Sequence, residues 1–237
     1  ADSTASFMTA AAATPPSVVN HPATTIGHTM AEVNGEVTDT GGDPPQVFIY
    51  FGDHDGGTNA AGWDQTLVLG TETGTFTREV LSLTHDTTYY FRCYATNYGG
   101  TAWAPSTESF TTLAYGLPVV VNTAPTNITG ISALVGGQVT DTGDDPPSIT
   151  IYYGDNDGGT DTNAWDHSVS LPPQLSAFSA SLFPLAPLTL YHYRCHARNI
   201  AGEGWASGSA SFTTADHYGA TVFISEFLAS NEGTYTN

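Results

Sequence analysis

The chain has 237 residues, 40% of them apolar and 11% aromatic, which is enough for globular cores, yet only 11% are charged. Four basic residues, all arginines, stand against 23 acids, and a formal charge of −19 excludes a nucleic-acid partner, which needs clustered Lys/Arg. No run approaches the roughly 18 apolar residues of a membrane span, so no membrane insertion is expected, and Cys93 and Cys195 carry neither a disulfide framework nor a C-x-x-C metal pair.

In chain order, apolar residues alternate over short runs between Gly, Pro and Asp turns, and no segment sustains a 3.6-residue period. The expected class is all-β. Ala5-Ser6-Phe7-Met8-Thr9 reads like Glu108-Ser109-Phe110-Thr111-Thr112, so residues 1–13 are expected to hold the last strand of a preceding repeat or a donor strand. Strands are then expected near Ser17–Asn20, Glu32–Thr38, Gln46–Phe51, Gln65–Leu69, Gly74–Val80, Thr88–Asn97 and Thr107–Thr112. Seven strands in about 100 residues suggest a sandwich.

Beyond the short linker Leu113 to Pro118 the pattern begins again. One offset, about 102 residues without insertion or deletion, brings roughly 40 of about 98 positions into agreement. Val18-Val19-Asn20 matches Val120-Val121-Asn122, and the runs from Val37 to Pro45 and from Tyr50 to Thr58 have counterparts from Val139 and Tyr152. Arg92-Cys93, Asn97 and Trp103-Ala104 return as Arg194-Cys195, Asn199 and Trp205-Ala206. Two copies of one domain follow, 14–114 and 115–216.

The second half of each copy resembles a fibronectin type III domain. Leu185, Pro187, Thr189, Tyr191, Ala197, Asn199, Gly202 and Phe212-Thr213-Thr214 carry the resemblance; the first copy has Leu83, Thr87, Tyr89, Ala95, Asn97 and Phe110-Thr111-Thr112, with His85 in place of the proline. The resemblance implies two tandem seven-stranded Ig/fibronectin III-like sandwiches with extra terminal strands. It also implies that Tyr89 and Tyr191 are corner tyrosines bonded to backbone, and that Phe91, Cys93 and Ala95 face the core. An acidic glycine loop inserted between the third and fourth strands resembles variants in large secreted bacterial proteins. After Thr214, residues 217–237, with Val222 to Asn231 at their centre, resemble the opening strand of a lamin-tail-like sandwich or form a second donor strand.

That loop is the sharpest chemical signal, and it occurs twice. Alternate carboxylates around a Gly-Gly turn are suited to Ca²⁺, which takes 6–8 oxygen ligands. The candidate ligands are Asp53, Asp55, Asn59 and Asp64, then Asp155, Asp157, Asp161 and Asp166. The alternative is a tight turn in which the aspartates cap amides while Trp63 and Trp165 pack on a sheet. Asp39-Thr40-Gly41 and Asp141-Thr142-Gly143 share the triplet of aspartic proteases, but each runs straight into a solvated Asp-Pro-Pro turn rather than an apolar cleft, so both read as turns. His192 and His196 are read as outward surface positions, and Arg92 and Arg194 as outward residues stacking or pairing with Asp64 and Asp166. Asn127-Ile128-Thr129 is a glycan acceptor sequence.

Absent lysine, with abundant Thr, Ser, Gly and Asn, points to an extracellular or cell-surface protein. The expected function is non-catalytic and structural: a spacer, a stalk or a fibre subunit, self-associating through its terminal strands and stiffened by calcium. The alternative is a carbohydrate- or surface-binding accessory module of a larger secreted enzyme, with exposed tryptophans as its discriminating feature.

Overall fold

The computed structural model describes residues 11–216, and the chain divides into two compact units between Tyr115 and Gly116. The lamin-tail-like stretch and all but the last three residues of the N-terminal segment 1–13 lie outside the described residues.

In the first unit the strands are β1 (Ser17–Thr24), β2 (Met30–Asp39), β3 (Gln46–Gly52), β4 (Gln65–Thr71), β5 (Gly74–Leu81), β6 (Thr88–Asn97), β7 (Gly100–Trp103) and β8 (Glu108–Thr111). One sheet runs β1-β2-β5; the other runs β4-β3-β6-β7, with β8 also paired to β6. The second unit has β9 (Val119–Thr126), β10 (Ala133–Asp141), β11 (Ser148–Gly154), β12 (His167–Leu171), β13 (Ala177–Leu182), β14 (Leu190–Arg198), β15 (Glu203–Trp205) and β16 (Ala210–Thr213). Its sheets run β9-β10-β13 and β12-β11-β14-β15, with β16 on β14. Every pairing is antiparallel. Since β7 and β8 lie on the same neighbour, as do β15 and β16, each pair is one interrupted strand and each unit has seven. The all-β, seven-stranded Ig/fibronectin III-like reading is therefore borne out.

Alternation puts one face of each strand inside, as in β2, where Ala31, Val33 and Val37 are buried between more exposed neighbours. Phe91, Cys93 and Ala95 on β6 are fully buried, as the resemblance implied. Burial pushes both thiols, Cys93 and Cys195, up to about 12, so they serve as packing groups and not as nucleophiles. Gly35 faces Phe76 across the ladder, and a Cβ there would lie 2.6 Å from the Phe76 ring and 2.7 Å from Cys93 Sγ. The ring occupies the space a side chain would take, and Gly137 opposite Phe178 repeats the device.

The seventh strand departs from expectation. It begins at Gly100 rather than Thr107 and breaks where Pro105 has no amide to offer the ladder. Two side chains close the break. Asn20 Oδ1 accepts the Cys93 amide at 2.9 Å while its Nδ2 donates to Ser106 O at 2.7 Å. Arg92 Nε and Nη2 donate to Ala104 O at 2.9 and 2.7 Å, and Nη2 also reaches Pro105 O. Arg92 and Arg194 were expected to stack or to pair with Asp64 and Asp166; the guanidiniums hold carbonyls of the broken strand in place of the carboxylates, and Arg194 also lies over the Trp205 ring, 5.8 Å from its centroid. A rigid planar fork satisfies two adjacent acceptors where the ladder cannot.

Asn97 is a second node. Its Nδ2 donates to Thr14 O and Thr40 O, both at 2.8 Å, while its Oδ1 accepts the amides of Gly99 and Gly100. Asn199 does the same for Gly116 O, Thr142 O and the amides of Ala201 and Gly202. The corner tyrosines are in place: Tyr89 Oη accepts from Thr84 N at 2.9 Å and Tyr191 Oη from Ala186 N at 3.0 Å.

Candidate functional site

The acidic loop connects β3 to β4, and its carboxylates first of all fold the loop. Asp64 Oδ2 accepts the Asp53 amide at 3.0 Å, closing the loop at its base. Gly52 lies so near this carboxylate that a Cβ would come within 2.3 Å of Asp64 Oδ2. Asp55 Oδ1 accepts both the Gly57 amide and the Thr107 hydroxyl at 2.8 Å, tying the loop to the segment before β8. Asn59 caps the short 3₁₀ turn Ala60–Gly62 by accepting from Ala61 N. Trp63, 8% exposed, donates its indole N–H to Gly57 O at 3.3 Å.

The second loop repeats the carboxylate and capping contacts, while the buried Trp165 indole N–H makes no hydrogen bond among the described residues. Asp166 accepts Asp155 N at 3.1 Å, Asp157 accepts Gly159 N and Ser209 Oγ, and Asp161 caps Thr162–Ala164. Hydrogen bonds from Ser209 and the Gly159 amide hold the Asp157 carboxyl below the usual aspartate range.

Of the eight residues singled out as oxygen ligands, the structure gathers Asp53 and Asp64, and it adds His54, which sequence reasoning missed. Among the described residues these three form the one group of acidic, imidazole or thiol side chains whose ligand atoms all lie within 4.8 Å. His54 Nδ1 is 3.0 Å from Asp53 Oδ1 and 3.6 Å from Asp64 Oδ2, and the bond to Asp53 followed by the field of Asp64 raises its pKa. All three are exposed. The matching Asn156 turns instead to Ala164 O. The only advance signal was a histidine between two loop aspartates, too common a pattern to single out.

The Asp-Thr-Gly triplets are turns: Asp39 Oδ1 accepts Gly41 N and Asp141 Oδ1 accepts Gly143 N, each at 2.8 Å. Asn127 is exposed at the end of β9, where a glycan would meet solvent.

The other concentration of unusual side chains is the outer face of the four-stranded sheet. Phe48 and Tyr50 on β3, Tyr94 on β6 and Trp103 on β7 all point outward and are half-buried by one another. The Trp103 ring centroid is 4.9 Å from both Tyr50 and Tyr94, and Phe48 is 5.9 Å from Tyr94. In the second unit these positions hold Thr150, Tyr152, His196 and Trp205. His196 was expected on the surface but is only 7% exposed, because its ring packs 4.5 Å from Trp205 and its Nε2 lies 3.4 Å from Glu203.

Comparison with solved structures finds the FN1–FN3 domains of chicken CNTN1, 19% identical with a TM-score of 0.37 over 86% of this chain and 68% of that one. It also finds the sensor domain of the anti-sigma factor RsgI4 of Pseudobacteroides cellulosolvens, 21% identical with a TM-score of 0.31 over 43% of this chain and 97% of that one. No family model matches the chain. No curated protein matches it. Among the described residues no helix is long and apolar enough to cross a membrane.

Proposed function

We propose that the chain is a non-catalytic structural segment of an extracellular or cell-surface protein, serving as a spacer, stalk or fibre subunit. The observation that carries this reading is the duplication itself. Two sandwiches repeat at a constant offset, and in both the paired residues Asp39/Asp141, Asp55/Asp157 and Asn20/Asn122 are engaged as turn caps and strand closures. Constant repeat length suits uniform extension of a chain. Self-association through terminal strands belongs to the same proposal, since sandwich sheets end in edges that accept a further strand. Negative-stain imaging of material from the natural source tests it: a regular longitudinal repeat is expected, and compact particles without any array would overturn the structural reading.

A second reading, a carbohydrate- or surface-binding accessory module, draws on one observation. Trp63 and Trp165 are buried, but Trp103 and Trp205 keep part of their rings in solvent. Solvent-facing indoles on a rigid sheet are suited to stacking against a ligand.

A further inference from the structure

We infer that the outer face of the first unit's four-stranded sheet is a binding strip for a neutral glycan, an inference that rests on the second reading above. On this face the strand register places Tyr50 opposite Arg92, then Phe48 opposite Tyr94 with Trp103 beside it, then Gln46 opposite Thr96. Beyond the last row the strip opens into a cleft of about 340 Å³ lined by Asp43, Pro44, Gln46, Thr96, Asn97 and Tyr98, the last 99% exposed, with Asp43 Oδ2 accepting the Tyr98 amide. The six steps of chain from Pro44 to Tyr50, most of them in β3, span at most about 20 Å, the scale of a short oligosaccharide.

Charge selects the class of ligand. In a chain of formal charge −19, the outward positions of β3, β6 and β7 carry no carboxylate, and their one cation, Arg92, is held by Ala104 O and Pro105 O. The strip is poor in charge, its one guanidinium turned to backbone carbonyls and Asp43 of the cleft already accepting the Tyr98 amide, so neither a polyanion nor a polycation finds an array of complementary charges there. Area separates a glycan from a protein partner. Four rings of at most ~250 Å² each, all well over half covered, expose no more than about 350 Å², well short of the ~800 Å² a side of a standard protein interface. What fits is a small amphipathic ligand with an apolar face for the rings and hydroxyls for the tyrosine and indole tips and for the amide-lined cleft. A pyranose has that form. The second unit is a built-in contrast, because Thr150 removes one ring and His196 with Glu203 brings ionisable groups to the same place.

The test is affinity gel electrophoresis of this chain in gels containing hydroxyethyl cellulose, galactomannan or arabinoxylan, with polygalacturonate as the charged comparison. Retardation by at least one neutral polymer is expected, weakened about tenfold or more by Trp103→Ala and unchanged by Trp205→Ala. The paired substitution Phe48→Thr with Tyr94→His is expected to weaken it similarly, and it installs residues with which the second unit already folds. Retardation that survives the first-unit substitutions overturns the strip but leaves the glycan-binding reading in place. Retardation in polygalacturonate alone overturns the neutral ligand. No retardation in any gel overturns both, and the spacer reading stands.

Discussion

Asn20 and Asn122 make the same two bonds, 2.9 Å to a cysteine amide and 2.7 or 2.8 Å to a carbonyl of the broken strand. Tyr94 and His196 occupy matching places on β6 and β14 and behave differently: one is half-buried among aromatic rings, the other buried against Trp205 and Glu203. The nodes Arg92/Arg194, Asn97/Asn199 and Tyr89/Tyr191 follow the first pattern. The positions Phe48/Thr150 and His54/Asn156 follow the second. The contrast shows which identities the fold demands. A side chain that replaces a missing ladder bond has one acceptable chemistry at a fixed distance, whereas a side chain on an outer face is free to vary.

The sharpest way to break this comparison is in the core. Phe91→Ala and Tyr193→Ala are each expected to destabilise their own unit by about 3–5 kcal/mol, read by denaturant unfolding, because both side chains are fully buried. A loss in one unit much smaller than in the other would show that the cores are not equivalent. Next come the closures. Asn20→Ala and Asn122→Ala each orphan a cysteine amide and should cost about 1–3 kcal/mol by the same measurement, equally in the two units.

Tyr193 sharpens the comparison further. Its hydroxyl donates to Thr123 O, a bond Phe91 has no hydroxyl to make, so Tyr193→Phe should cost about 1 kcal/mol by urea titration. Burial raises this phenol to about 12, so in alkaline spectrophotometric titration one tyrosine should ionise late in the parent chain and be missing from the variant.

A smaller effect separates the loops. The pKa of His54 is raised from 6.5, so its contribution is present below 6.5 and lost as the pH rises through the higher folded value. The Asp157 pKa is lowered from 3.8, so its contribution is present above 3.8 and lost as the pH falls through the lower folded value. His54→Asn, which copies the second unit, should flatten the near-neutral limb of the midpoint-versus-pH curve and leave the acid limb unchanged. Calcium is expected to act least. With Asp55 and Asp157 already accepting two bonds each, calcium followed by chelator should move the thermal midpoints by no more than about 1 °C, and a larger rise would assign the loops a cation.

The sequence alone determined the all-β class and the duplication, and its resemblance to fibronectin type III domains implied the corner tyrosines and the buried Phe91-Cys93-Ala95 face. The class rests on period-two alternation within short runs, and the duplication on agreement at one constant offset, neither of which needs the strand register. The sequence showed that Asn20, Arg92 and Asn97 recur, but not what they bond. Apart from the Gly99 and Gly100 amides on Asn97, their partners lie 12 to 86 positions away, and only the tertiary fold brings those within reach. The broken seventh strand, His54 beside Asp64, the burial of His196 and the aromatic strip were likewise decided by the tertiary structure. Each depends on which side chains the register places opposite one another, and pairing two strands fixes that for every residue at once.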